Sequence, residues 1–163
     1  MAAVIRAHPT ARLLLHAEQV WREQSFFWQD EDTGVWLRAR LDAAKVHDQI
    51  ICSDFKSAAS ADPGEFARAA HRYFYDMQDA WYRDAILYTL GVPDAAFVFV
   101  VQEKDPPYLC AVYELSMRDV LEGRERNRRA RRVFARCQQS GVWPGYQAPD
   151  EVVTKISLPR WAR

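Results

Sequence analysis

The stretch LDAAKVHDQIICSDFK, residues 41–56, holds two aspartates and a lysine at spacings that suit chemistry. Asp54 and Lys56 stand two apart in an apolar segment that reads as a strand, so their side chains share a face. Asp42 ends the strand before it, across a polar turn. Antiparallel pairing of these strands sets its carboxylate beside that of Asp54. Two carboxylates at close range repel, and one takes a proton unless a cation intervenes. Mg2+ resolves the conflict: it is a hard ion with oxygen ligands, and one or two protein carboxylates suffice. Mn2+ is expected to substitute for it. The Phe55 carbonyl offers a third oxygen. Lys56 then points into the same site, where its ammonium holds an attacking water and offsets charge on a phosphate. The set suits metal-assisted phosphodiester hydrolysis. It is not specific alone, since Asp and Lys two apart on a strand also describe a solvated face.

The elements that must position these groups are legible along the chain. ARLLLHAEQVW reads as a short helix opening at Pro9 and Thr10. EQSFFWQD is β-prone, and EDTG is a turn. VWLRARLDA alternates, with Val35, Leu37, Ala39 and Leu41 on one face and Trp36, Arg38, Arg40 and Asp42 on the other. AKVHD is a second turn, and QIICSDFK completes a three-stranded antiparallel meander. From Glu65 to about Leu90 the spacing predicts one long helix. Its apolar stripe is Phe66, Ala69, Ala70, Tyr73, Met77, Ala80 and Trp81. AAFVFVVQEK reads as a strand covered on both faces, and YLCAVYEL as a fifth strand. Arg118 to Gln139 is a second long helix, with Ala130, Val133, Phe134 and Cys137 as its apolar stripe. A turn-rich tail follows. The order is α-βββ-α-ββ-α: a mixed sheet of about five strands flanked by helices, one α/β domain over residues 1–163.

Composition narrows the class. The chain of 163 residues is 49% hydrophobic, too apolar for a disordered protein. Lys+Arg and Asp+Glu both number 22, so no global basic field announces a nucleic-acid partner. No apolar run approaches the length of a membrane span, and the N-terminus does not read as a secretory signal. Cys52, Cys110 and Cys137 form no CxxC pair, which argues against a zinc or iron–sulfur site of the usual spacing. Reduced thiols and a cytoplasmic location are expected.

Five stretches in one order carry a more specific signal: EQSFFWQDEDTGVWLRARLD, DFKSAASADPGEFARAAHRYFYDMQDAWY, FVFVVQEKDPPY, CQQSGVWPGY and ISLPRWA. Together they resemble the catalytic domain of exonuclease VIII-like phage recombination proteins. These are PD-(D/E)xK nucleases, related to the lambda-type exonucleases. The resemblance runs from about Glu18 to Ala162. It implies a restriction-endonuclease-like fold. It places the first metal-binding aspartate on Asp42, with Leu41 where a proline is usual, and the (D/E)xK element on Asp54, Phe55 and Lys56. It places an acidic residue near the metal on Glu23, and a Q-x-x-x-Y element on Gln78 and Tyr82. Those two lie one helical turn apart and face the same way. Glu103 matches a further acidic position. The resemblance also implies more chain before Glu23 than stands here, so the domain reads as short at its N-terminus.

GRERNRRARRVFAR is an arginine-rich helix segment. If its apolar stripe holds it down, Arg124, Arg128, Arg131 and Arg132 fan across the opposite face and neutralise phosphates. Pairing with Glu122 and Glu125 is the alternative use. Arg38 and Arg40, beside Asp42, are better placed to meet a phosphate near the scissile bond. No base-reading motif stands out, which suits a protein that reads backbone. The expectation is a Mg2+-dependent exonuclease acting on linear double-stranded DNA ends. The resemblance implies 5′ to 3′ polarity, a phage single-strand annealing protein as partner, and a homo-oligomer. Two alternatives stay open: an endonuclease of the same superfamily, and an inactive nuclease-fold DNA-binding protein.

Overall fold

The computed structural model describes residues 1–16, 18–46, 49–147, 150 and 152–160. Ten elements follow one another: α1 (Ala2–Ala7), α2 (Pro9–His16), β1 (Val20–Gln29), β2 (Trp36–Val46), β3 (Ile50–Ala58), α3 (Pro63–Arg72), α4 (Tyr75–Leu90), β4 (Ala96–Glu103), β5 (Cys110–Tyr113) and α5 (Met117–Ser140). The strands form one sheet in the order β1-β2-β3-β4-β5. Neighbours are antiparallel except β3 and β4, which run parallel. A parallel pair needs a crossover, and α3 with α4 supplies it. This is the mixed five-stranded sheet flanked by helices of the restriction-endonuclease-like class.

The alternation in β2 appears as read: Leu37, Ala39 and Leu41 are buried while Trp36, Arg38 and Arg40 are exposed. Strand β4 is covered on both sides. Val100 packs with Ile5, Ala11 and Leu14 of α1 and α2, while its neighbours Phe99 and Val101 join Phe66, Ala85 and Ile86 in the larger core. That core lies under α3 and α4, the helices that also cover Asp54 and Lys56.

Four sequence expectations are corrected. The helix opening at Pro9 stops at His16, an unread helix α1 precedes it, and Val20 and Trp21, assigned to its end, begin β1. The long helix over 65–90 is broken. Asp62 caps α3 by accepting the Gly64 and Glu65 amides at 2.8 and 3.0 Å. The helix then stops at Tyr73, and Phe74 takes a left-handed backbone (φ 55°, ψ 45°) before α4 begins. No glycine or proline marks that point, so periodicity ran straight through it. Packing explains the break: Tyr73 and Phe74 stay exposed while Tyr75 turns inward against Phe66 and Phe99, at 5.9 and 5.3 Å between ring centroids.

The apolar stripe assigned to α5 is also wrong. Ala130, Val133 and Phe134 are exposed; only Cys137 of the four is buried. The seam against α4 runs through Val120, Gly123 and Asn127 instead. At Gly123 a β-carbon would lie 2.1 Å from the Asp76 carbonyl oxygen, so only glycine permits this approach of the two backbones. Asn127 donates from Nδ2 to the Met77 carbonyl at 2.8 Å. A seam of small and polar residues leaves no hydrophobic periodicity to read. Within the expected turn AKVHD, Ala44–Val46 belong to β2, while His47 and Asp48 lie outside the described residues. So do Trp161 and Ala162. Among the described residues no helix is long and apolar enough to cross a membrane.

Candidate active site

Strands β2 and β3 pair with Ala43 opposite Ser53. One step further in the same register sets Asp42 across from Asp54. The Asp42 Oδ2 accepts the Phe55 amide at 3.1 Å, which ties this carboxylate to the β3 backbone. Asp54 is only 4% exposed, and it heads a closed ring of three side chains. Gln78 of α4 donates from Nε2 to Asp54 Oδ1 at 2.5 Å. The Lys56 ammonium donates to Gln78 Oε1 at 2.9 Å. It also lies 2.5 Å from Asp54 Oδ2, an ion contact outside hydrogen-bond geometry. The ammonium is thus the partner of that buried oxygen.

Burial pushes the Asp54 carboxyl above its ordinary range; the Lys56 ammonium and the Gln78 amide pull the other way, and the Asp42 charge adds to the rise. A buried carboxylate set beside a second carboxylate is the donor set of a hard divalent cation. The residues present therefore fit Mg2+ or Mn2+, with the protein supplying two carboxylates. Glu23 stands across from Asp42, between the pairs Arg22–Ala43 and Gln24–Leu41. Its backbone is left-handed (φ 50°), which breaks the ladder there, and its side chain turns to Arg40 at 3.0 Å. Among the described residues no three His, Cys, Asp or Glu side chains converge as a metal cluster. The structure thus brings Asp42, Asp54, Lys56 and Gln78 together, and leaves Glu23 at the rim in an ion pair.

Tyr82, one turn after Gln78, packs on Phe97 at 5.4 Å. Burial raises its hydroxyl pKa; the Gln78 hydrogen bond opposes the rise, and the charges of Asp54 and Asp42 add to it. Both members of the Q-x-x-x-Y element therefore lie within electrostatic reach of the aspartate pair. The sequence reading missed Tyr75. Its ring lies 4.6 Å from the Lys56 ammonium, with Phe99 at 5.9 Å, so the lysine is held by aromatic faces as well as by Asp54. Tyr75 is the first residue of α4, and only the unread break reveals it. Glu103 accepts the Ala61 amide at 2.9 Å and anchors the loop before α3.

The arginines divide. Arg124 pairs with buried Asp84 at 2.8 Å, and Arg131 with buried Asp30 at 2.9 Å. These two clamp α5 against α4 and against the β1–β2 turn, so the expected fan across one open face is not formed. Arg128 pairs with Glu125 at 2.8 Å and Arg132 with Asp32 at 3.5 Å, on the exposed surface. Arg38 and Arg40 are exposed and border a cleft of about 720 Å³ that also meets Gln78, Trp81 and Tyr82.

Comparison with solved structures places this arrangement. A protein from Eubacterium rectale, provisionally described as an exonuclease, superposes with a TM-score of 0.71 at 14% identity. The match covers 96% of this chain and 60% of that one, so this chain spans less than two thirds of its neighbour, and the likeness is one of fold. SSO0001 superposes with a TM-score of 0.38 at 14% identity, over 76% of this chain and 52% of that one, too loosely to carry weight. The search of curated proteins gave no match. The family model described as "PDDEXK-like domain of unknown function (DUF3799)" matches residues 1–152. With its aspartate pair and lysine gathered where the β2–β3 pairing stops, under the glutamine of α4, the chain is a PD-(D/E)xK nuclease-like domain and belongs to the DUF3799 family.

Proposed function

We propose that this nuclease-like domain is a Mg2+-dependent exonuclease acting on linear double-stranded DNA ends. The observation that carries the reading is the ring of Asp54, Lys56 and Gln78 beside Asp42: a charge-compensated, half-buried carboxylate pair. Asp42 and Asp54, with the Phe55 carbonyl, would hold the cation, and Glu23 would assist from the rim. A bound Mg2+ supplies a polarised phosphoryl oxygen and a water of lowered pKa. Mn2+ would serve in its place. Lys56 holds the attacking water and offsets charge on the phosphate as the P–O bond breaks. Gln78 fixes the lysine and the aspartate in one geometry, and Tyr82 borders the phosphate path. Arg40 and Arg38 receive the flanking phosphates, with Arg128 and Arg132 as outlying contacts. Arg124 and Arg131 are occupied by aspartates and would serve through the position of α5.

Polarity from 5′ to 3′, a place in phage-type recombination beside a single-strand annealing protein, and assembly into a homo-oligomer belong to the same proposal. They rest on the sequence resemblance; a single domain over the whole chain rests on the succession of elements, and a cytoplasmic location on the unpaired cysteine pattern. One observation favours a second reading. Among the described residues only two carboxylates converge, and Asp54 is already engaged by Lys56 and Gln78, as in a nuclease fold retained for binding alone. Incubation with 5′-labelled linear duplex and with covalently closed circular DNA in Mg2+ separates the readings. The exonuclease releases nucleotides from the linear duplex and leaves the circle intact. Nicking of the circle would make it an endonuclease, and salt-sensitive binding without Mg2+-dependent cleavage would make it a binding protein.

A further inference from the structure

The exposed row of the β1–β2 hairpin carries more than arginines. Along β2 the residues Trp36, Arg38, Arg40 and Asp42 follow at intervals of two, so they share one side of the ribbon. The register sets Gln29 beside Trp36, Phe27 beside Arg38 and Ser25 beside Arg40. Trp36 is 71% exposed and Phe27 62%, and they sit diagonally across the pair. Gln29 does not cover the indole, because its amide nitrogen donates to the Gly34 carbonyl at 2.8 Å. Six residues of strand separate Trp36 from Asp42, about 20 Å at ~3.3 Å per residue. Phe27, Arg38 and Arg40 line the same cleft as Tyr82 and Gln78, and Gln78 in turn holds Asp54, so the row opens onto the helix face beside the carboxylates.

Large apolar rings left in water on a hairpin call for a function, and the chemistry here is specific. Flat aromatic faces alternate with guanidinium groups, the pattern that receives unpaired bases and their phosphates. Arginines alone would suit any polyanion. A duplex keeps its bases stacked on each other and offers nothing to Phe27 and Trp36. The cleft volume, about 720 Å³, falls in the range of small-ligand pockets, which suits extruded nucleotides.

We propose that the Trp36–Phe27–Arg38–Arg40 row is a stacking platform for a single nucleic-acid strand, which it feeds, bases unpaired, toward Asp42 and Asp54. The proposal rests on the nuclease reading and deepens it by naming the form of the strand at the site: the end of one strand, parted there from its complement in the duplex. The platform needs no base-specific contact, so it accepts any sequence.

The test is binding without hydrolysis. Fluorescence anisotropy in EDTA compares labelled oligodeoxythymidine 12-mer with a blunt 12-base-pair duplex. The wild type binds the single strand more tightly. Phe27→Leu and Trp36→Leu, which keep apolar bulk and remove the ring, each weaken it about tenfold, while Phe27→Tyr keeps binding near the wild-type value. Both side chains are largely exposed, so an unchanged melting temperature is expected of all three variants. Equal binding by Phe27→Leu and the wild type overturns the platform, as does tighter binding of the duplex by the wild type. The nuclease reading fails separately: single-strand binding that depends on both rings, with no Mg2+-dependent cleavage, keeps the platform and removes the nuclease.

Discussion

At the scale of single residues, the site is a problem of charge burial solved by mutual contact. Asp54 is nearly inaccessible, and an isolated charge there would be costly. Lys56 and Gln78 offset that cost, and Gln78 does so twice, donating to the aspartate and accepting from the lysine. On the proposed mechanism it positions these groups rather than touching substrate. Gln78→Leu should therefore lower kcat by roughly 10–100-fold, the usual effect of losing a group that orients a metal site. KM for DNA should change little, and steady-state kinetics with a melting curve checks this. Asp42, Asp54 and Lys56 were legible from sequence because alternation in a strand is a strict geometric rule. Tyr75 was not, because its contact with Lys56 depends on a helix break with no glycine or proline to mark it. Arg124 and Arg131 were misread for a related reason: their aspartate partners come from other elements, and a single helix does not reveal them.

At the scale of elements, α5 sits where it does because Gly123 lets two backbones touch. Gly123→Ala drives a β-carbon into the Asp76 carbonyl. The expected loss is about 1–3 kcal/mol of stability, read by urea denaturation. Gly145, whose added β-carbon meets nothing within 4 Å, is the control; its alanine variant should stay within about 0.5 kcal/mol of the wild type. Helix α4 carries a second stress. Asp79 is fully buried, with Oδ1 held by Arg83 at 2.5 Å and Oδ2 without a donor. Burial, opposed by Arg83, pushes its carboxyl from 3.8 to about 6. The folded chain thus holds this proton more tightly than the unfolded one, so stability falls as pH rises through that window. The contribution is of order 3 kcal/mol. Asp79→Asn should flatten the slope of stability against pH between those two values, as measured by denaturation at a series of pH values.

At the scale of the whole molecule, the antiparallel meander of the first three strands and the mixed sheet followed from strand and helix succession, while the parallel place of β4 beside β3 came only from the structure. The helix seams did not follow, because glycine and asparagine rather than an apolar stripe build them. What the fold achieves is to hold Asp42 on β2, Asp54 and Lys56 on β3 and Gln78 on α4 around one point. If that point binds a cation, the ion stabilises the folded state by mass action. Mg2+ at a hundredfold excess over its Kd should raise the wild-type Tm by roughly 5–10 °C and leave Asp54→Asn unmoved. The most direct measurement is nucleotide release from linear duplex DNA by the wild type and by Lys56→Ala, each with Mg2+ and with EDTA. Mg2+-dependent release by the wild type, lowered at least about a hundredfold in Lys56→Ala, is the predicted result. Equal rates for the two proteins, or release that persists in EDTA, would contradict the account.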